Sequence, residues 1–395
     1  MALFRHIEDL PPVTPTWALW QLGFRPFYLA ASGFAALSVG LWTAQHAGWL
    51  GHAYLAGAVW HAHEMLFGFT LAVVVGFLLT AGQNWSGRPT PSGPWLMALV
   101  SLWLAGRMLV LTPFGWAAAL VNIAFPLAAA TALAIPFFKA GNRRNYFFIA
   151  LLVVLGLASG AVHLAQLGAL NLPDWIGIRV GLDIVLFIIA VMAGRVIPMF
   201  TNNGVAGAGA RRHAAVERLA LGTVLLLLAT DCLQLHGLPL IAAAGIAACA
   251  HAIRMVLWRP WKTLRVPIVW VLHAAYLWIP LHLGLRALAE AGWVAANLAT
   301  HALAVGAIGG MTIGMMTRTA RGHTGRPLVA DRWEVACYSL ILGAALVRVA
   351  LPLTLPDLYV LSVRAAGLMW SAGFALYAIR YWPVLTRARL DGKPG

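Results

Sequence analysis

Residues 59–89 read VWHAHEMLFGFTLAVVVGFLLTAGQNWSGRP, an apolar run long enough to cross a bilayer that opens on His61, His63 and Glu64. Its side chains lack the period of two that a barrel strand needs, so the run predicts a transmembrane α-helix. Ionisable groups that deep in hydrocarbon are costly, which marks them as a candidate functional site. A second stretch follows the same plan. His301, Gly306, Gly314 and Gly325-Arg326-Pro327 stand at the offsets of His63, Gly68, Gly76 and Gly87-Arg88-Pro89.

The rest of the chain fits the same environment. Its 395 residues are 61% hydrophobic and only 10% charged, with mean hydropathy +0.81, too few polar side chains to cover a soluble surface. The expected fold class is an all-α polytopic membrane protein of about twelve helices. They are placed near 25–45, 58–82, 94–112, 115–138, 146–169, 177–199, 214–236, 238–258, 266–290, 293–318, 332–353 and 357–382. A cytoplasmic arm (residues 1–24) is expected before them and a cytoplasmic tail (383–395) after them. Glu8, Asp9 and three prolines precede any apolar run, so no cleavable signal peptide is expected.

The net charge of +15 would suggest nucleic acid in a soluble protein. Here all 27 basic residues except Arg107, Arg179, Arg286, Arg348 and Arg364 fall on one side of the predicted helices. That asymmetry places both termini in the cytoplasm of a bacterial inner membrane and excludes nucleic acid as a partner. Arg25, where the first helix opens, reads as a snorkelling interface anchor. Asp183, one turn from Arg179, reads as its intrahelical ion-pair partner. Cys232, Cys249 and Cys337 lie inside predicted spans, form no CxxC motif and read as small core hydrophobes.

Neutral imidazole is the common protein ligand for transition metals and for haem iron. Helix register puts His61, His63, His163, His282 and His301 in the outer half of the bilayer and His273 deeper. At about 100° per residue, His61 and His63 point some 200° apart and should serve two sites. Glu64 shares a face with His61 and would orient it or relay a proton. The repeat makes His63 and His301 equivalent points, able to ligate one haem from opposite sides, with Gly68 and Gly306 leaving room for the porphyrin. The five far-side arginines, Arg107 and Arg179 among them, would pair haem propionates; the plain alternative is that each anchors a helix end. A repeat spaced by eight helices further suggests three units of four helices, with Gly194-Arg195 as the third copy of the Gly-Arg pair. That plan resembles the haem-copper oxidases in architecture.

Five stretches are the most specific: GFRPF at 23–27, WHAHEMLFGF at 60–69, GRVIPMFTNNG at 194–204, LHAAYLWIPL at 272–281 and HALAVGAIGGMTIGMMTRTARGHTGRPL at 301–328. In these the chain resembles the NnrS family over essentially its whole length. The resemblance implies bound haem, of b type, bound copper, and a role in nitric oxide metabolism and resistance to nitrosative stress. Binding of nitric oxide, and its reduction with electrons from an unidentified donor, would follow. For the second metal site the resemblance favours His273 as companion to His61, with Tyr276 donating a proton or hydrogen bond. Depth alone favours His163. The competing expectation is a twelve-helix transporter that uses buried histidines for proton or metal coupling.

Overall fold

The computed structural model describes residues 17–50, 53–173 and 175–392. Most of the expected N-terminal arm and the last three residues lie outside that range, as does His52. Among the described residues the chain is helical, without strands apart from a single bridge between Trp17 and Arg387.

The long helices are α1 (Phe24–His46), α2 (Gly57–Ser86), α3 (Gly93–Leu109), α4 (Gly115–Lys139), α5 (Phe147–Gln166) and α6 (Ile176–Gly204). They continue with α7 (Ala214–Cys232), α8 (Leu238–Leu257), α9 (Pro267–Glu290), α10 (Ala296–His323), α11 (Arg332–Thr354) and α12 (Tyr359–Thr386). Among the described residues, 10 are long and apolar enough to cross a membrane. The other two are α3, of 17 residues, and α7, which carries Glu217, Arg218 and Asp231 in 19. Several helices overrun their predicted ends: α2 continues to Ser86, α6 to Gly204 and α10 to His323.

Each helix packs on the next, and α12 returns to α1. Inside this circuit the three most buried spans are α2, α6 and α10. The first and last described segments meet at one end of the bundle, where the Ala18 N–H donates to the Thr386 carbonyl at 2.7 Å. We call the opposite end distal. Arg25 is not a snorkelling anchor. It is fully buried and donates from Nη1 to the carbonyls of Leu385 and Arg387, supplying donors that the C-terminus of α12 lacks. Cys337 is buried as expected, whereas Cys232 and Cys249 are exposed on the helix surface.

The Gly-Arg-Pro pair of the repeat has a backbone cause. Gly87 and Gly325 have φ of 62° and 73°, the left-handed conformation in which a helix ends on a residue without Cβ, and the proline two positions on cannot continue the helix. Gly194-Arg195 is no third copy, since it lies inside α6. A second feature of the repeat is invisible in the sequence. Directly after His63 the helix widens into a π segment, Glu64–Thr70, and directly after His301 into another, Ala302–Gly309. π segments inside α-helices cluster at functional sites, because the extra residue re-aims side chains and frees backbone groups.

Candidate functional site

The distal half holds two histidine stations, one on each side of α2. His61 and His63 both lie in the regular turn Gly57–His63, so they diverge as the 100° rule requires. Their partners, however, are the reverse of those expected from the repeat.

His63 is fully buried and faces α5 rather than α10. Its ring meets that of His163 edge-on, with centroids 4.7 Å apart. Its Nδ1 lies 2.8 Å from Oε1 of Glu64, and Arg107 Nη1 reaches the same oxygen at 3.0 Å. Glu64 therefore serves His63, its chain neighbour, and not His61 as expected. A hydrogen on Nδ1 shared with the carboxylate leaves Nε2 of His63 with its lone pair, facing Ser159 Oγ at a long 3.5 Å. His163 is arranged in parallel. Its Nδ1 lies 3.3 Å from the hydroxyl of Tyr54, which also donates to the His163 carbonyl at 3.0 Å, while its buried Nε2 has no partner. Burial pushes the Tyr54 phenol up to about 12, so at neutral pH it remains a donor.

Arg107 is held in place as firmly. It bonds to Asn122 of α4, and Asn122 Nδ2 donates to Ala118 at 2.9 Å. The guanidinium occupies the space beside Gly68, where a Cβ would collide with Nη1, and Trp103 Nε1 donates to the Gly68 carbonyl at 2.9 Å. Gly68 thus makes room for Arg107, not for a porphyrin. Gly306 is filled in the same way by the indole of Trp278. The space beside both glycines is thus taken by protein side chains.

The second station is half-buried rather than sealed. The His61 ring lies against Trp42 with centroids 4.8 Å apart, and its Nδ1 has no partner. His301 Nδ1 lies 2.7 Å from the Asn297 carbonyl, which fixes the tautomer and leaves Nε2 with its lone pair. His301 lies within electrostatic reach of His61, and Arg348 of α11 lies within reach of both. Arg348 Nη2 bonds the Tyr359 hydroxyl at 3.2 Å, while its Nη1 is buried without a partner.

The remaining candidates lie elsewhere. His273 bonds to Thr201 of α6 at 2.8 Å, and Tyr276 bonds to His251 at 2.6 Å and Arg254 at 3.0 Å; neither joins His61. Arg179 is exposed, and its expected partner Asp183 instead pairs with Arg286 of α9 at 3.1 Å, an arginine that also holds Asp231 at 2.5 Å. His282 donates to or accepts from no residue of either station; its Nδ1 lies 2.7 Å from the Ala299 carbonyl. Among the described residues no three His, Cys, Asp or Glu side chains converge as a metal site.

Sequence reasoning missed Tyr54, Asn122, Trp103 and Ser159. Two of them had a usable signal, because Ser159 stands four residues before His163, and Trp103 four before Arg107, each on one helix face. Compared with known proteins, the chain matches the family model described as NnrS protein over residues 18–389. No curated protein matches it.

Proposed function

Because the chain belongs to the NnrS family, which is linked to the nitric oxide response, we propose that it is a membrane protein that binds nitric oxide at metal held by these two stations. The observation that carries the proposal is the pair His63 and His163, two buried imidazoles in edge contact, of which His163 Nε2 has no partner and His63 Nε2 only a long contact of 3.5 Å to Ser159 Oγ. Unsatisfied polar atoms at zero exposure cost stability unless something fills them, and two imidazoles are a donor set that copper accepts. Glu64 would hold His63 in the ligating tautomer, and Arg107 would hold the Glu64 carboxyl in place beside it. Tyr54 would fix His163.

The other station would hold the haem. His301 presents Nε2, His61 carries an unpartnered nitrogen, and the free Nη1 of Arg348 suits a carboxylate such as a propionate. When bound, copper or haem iron supplies a coordination position for nitric oxide. The chain's own contribution is to orient the imidazoles and to keep the sealed station dry.

The wider proposal has twelve membrane spans in three units of four, both termini in the cytoplasm of a bacterial inner membrane, and an electron donor as a further partner. The one-sided distribution of basic residues supports the orientation. Metal analysis and absorption spectroscopy of the purified protein test the function. Copper together with a Soret band that shifts on adding nitric oxide is expected; a colourless, metal-free, folded protein refutes it.

A further inference from the structure

Where α2, α6 and α10 meet at mid-depth they line, with Tyr28 of α1, a partly open cavity of about 70 Å³, separate from both histidine stations. Its lining repeats with one interval. Val73, Met192 and Met311 are spaced by 119 residues, and so are Phe77, Val196 and Met315. Two further sets, starting at Thr70 and Val74, keep the same interval. The Thr70, Val73 and Val74 sets are buried, and the Phe77 set, nearer the chain termini, is half-buried. The interval is half the distance from His63 to His301, and it also carries Glu64 onto Asp183, each an acid paired with an arginine. The cavity therefore lies where three equivalent helices converge, and it is a built feature rather than a packing fault.

Its chemistry narrows what can enter. The lining is apolar but for Tyr28, Thr70 and Thr312. Both threonine hydroxyls donate to carbonyls of their own helices, Thr70 to Met65 at 2.7 Å and Thr312 to Gly309 at 2.9 Å. A buried water needs about two to four polar partners and would find few, so a space of this kind stays dry. A lipid chain or a porphyrin is far too large. The histidines stand near: His63 precedes Thr70, and His301 precedes Ile308, by seven residues, about 10 Å along a helix, with a π segment between them in each case.

We propose that this cavity binds a small neutral gas molecule drawn from the bilayer and supplies it to the histidine stations. Naming nitric oxide as that gas rests on the function proposed above. The binding itself does not, and xenon tests it directly. Crystals of the full-length protein under xenon should show the atom at the junction of the three helices. Val73→Phe should abolish that site, and Ile189→Ala, which enlarges the space, should strengthen it. With copper content unchanged, Val73→Phe should also slow nitric oxide association several-fold. An empty junction in the unmodified protein under xenon overturns the proposal, and so does an unaltered association rate in Val73→Phe. A protein without copper would defeat the functional reading while leaving xenon to decide the cavity.

Discussion

Two buried clusters of similar composition are finished differently. Around Arg254, in the half nearer the termini, Glu217 takes two hydrogen bonds at 2.9 and 2.6 Å, and the Ala190 carbonyl takes another at 2.8 Å. Tyr276 bridges Arg254 to His251, whose other nitrogen meets the Ala220 carbonyl at 3.2 Å. Gly194 is the only residue type that leaves room for this guanidinium, since any Cβ would strike it. Around His63 the same kinds of residue leave Glu64 Oε2, Arg107 Nε and His163 Nε2 without partners. A network closed on itself fixes helix packing; one with atoms left over at zero exposure is arranged for something besides the protein.

The largest effect should come from opening the closed network. Arg254→Met leaves Glu217 without its buried counter-charge, and breaking such a pair costs about 3–5 kcal/mol. Thermal unfolding in detergent should show a large loss of stability, with any protein that remains folded keeping its copper. Loss of copper at unchanged stability would erase the distinction between the clusters.

The complementary change is His163→Phe, which keeps a ring between Tyr54 and His63 but removes both nitrogens. Copper should be lost while the unfolding midpoint moves little, because packing is largely preserved. A variant that keeps stoichiometric copper removes His163 from the site. Glu64→Gln is milder. The amide still reaches His63 but no longer fixes the tautomer with a charge, and loss of such an orienting partner costs about 10–100-fold in metal affinity. Competition with a chelator measures it, and wild-type affinity would count against the role given to Glu64.

The sequence made the helices legible, since apolar runs near 20 residues leave the backbone no other choice in lipid. It also made the histidine inventory and the His63–His301 repeat legible. What it could not reveal was which rings meet. Equivalent positions in a repeat share a depth, yet neighbours are set by rotation about each helix axis, and that rotation depends on π segments and on packing. Gly68 shows the limit most clearly: a glycine predicts close approach, but by Arg107 as readily as by a cofactor. Asp183 shows it again, because an in-register Arg179 one turn away lost to Arg286 from another helix.

The smallest effect lies where a closed network reaches solvent, at the start of α11. Asp331 caps this helix, accepting from the backbone N–H of Trp333 at 2.8 Å and of Glu334 at 3.3 Å, while Glu334 returns a bond to the Asp331 N–H. Partial burial works against its charge, but Arg380 at 2.8 Å and these N–H donors outweigh that and hold the carboxyl down to about 2. A carboxylate lowered from its ordinary value near 3.9 contributes stability that is complete above that value and lost as pH falls towards the folded one. The window is therefore about pH 4 down to about 2. The side chain is 34% exposed, so solvent screens the pair with Arg380 and the cap should carry most of the effect. Asp331→Ala should cost about 1 kcal/mol at neutral pH. The gap between variant and parent should close as acid protonates Asp331, and copper content should not change at any pH where the protein stays folded. A constant gap down to pH 2 would mean that the carboxylate is not what stabilises this end of the bundle. Copper loss in the variant would mean that the two halves are coupled through α10 and α11 rather than finished independently.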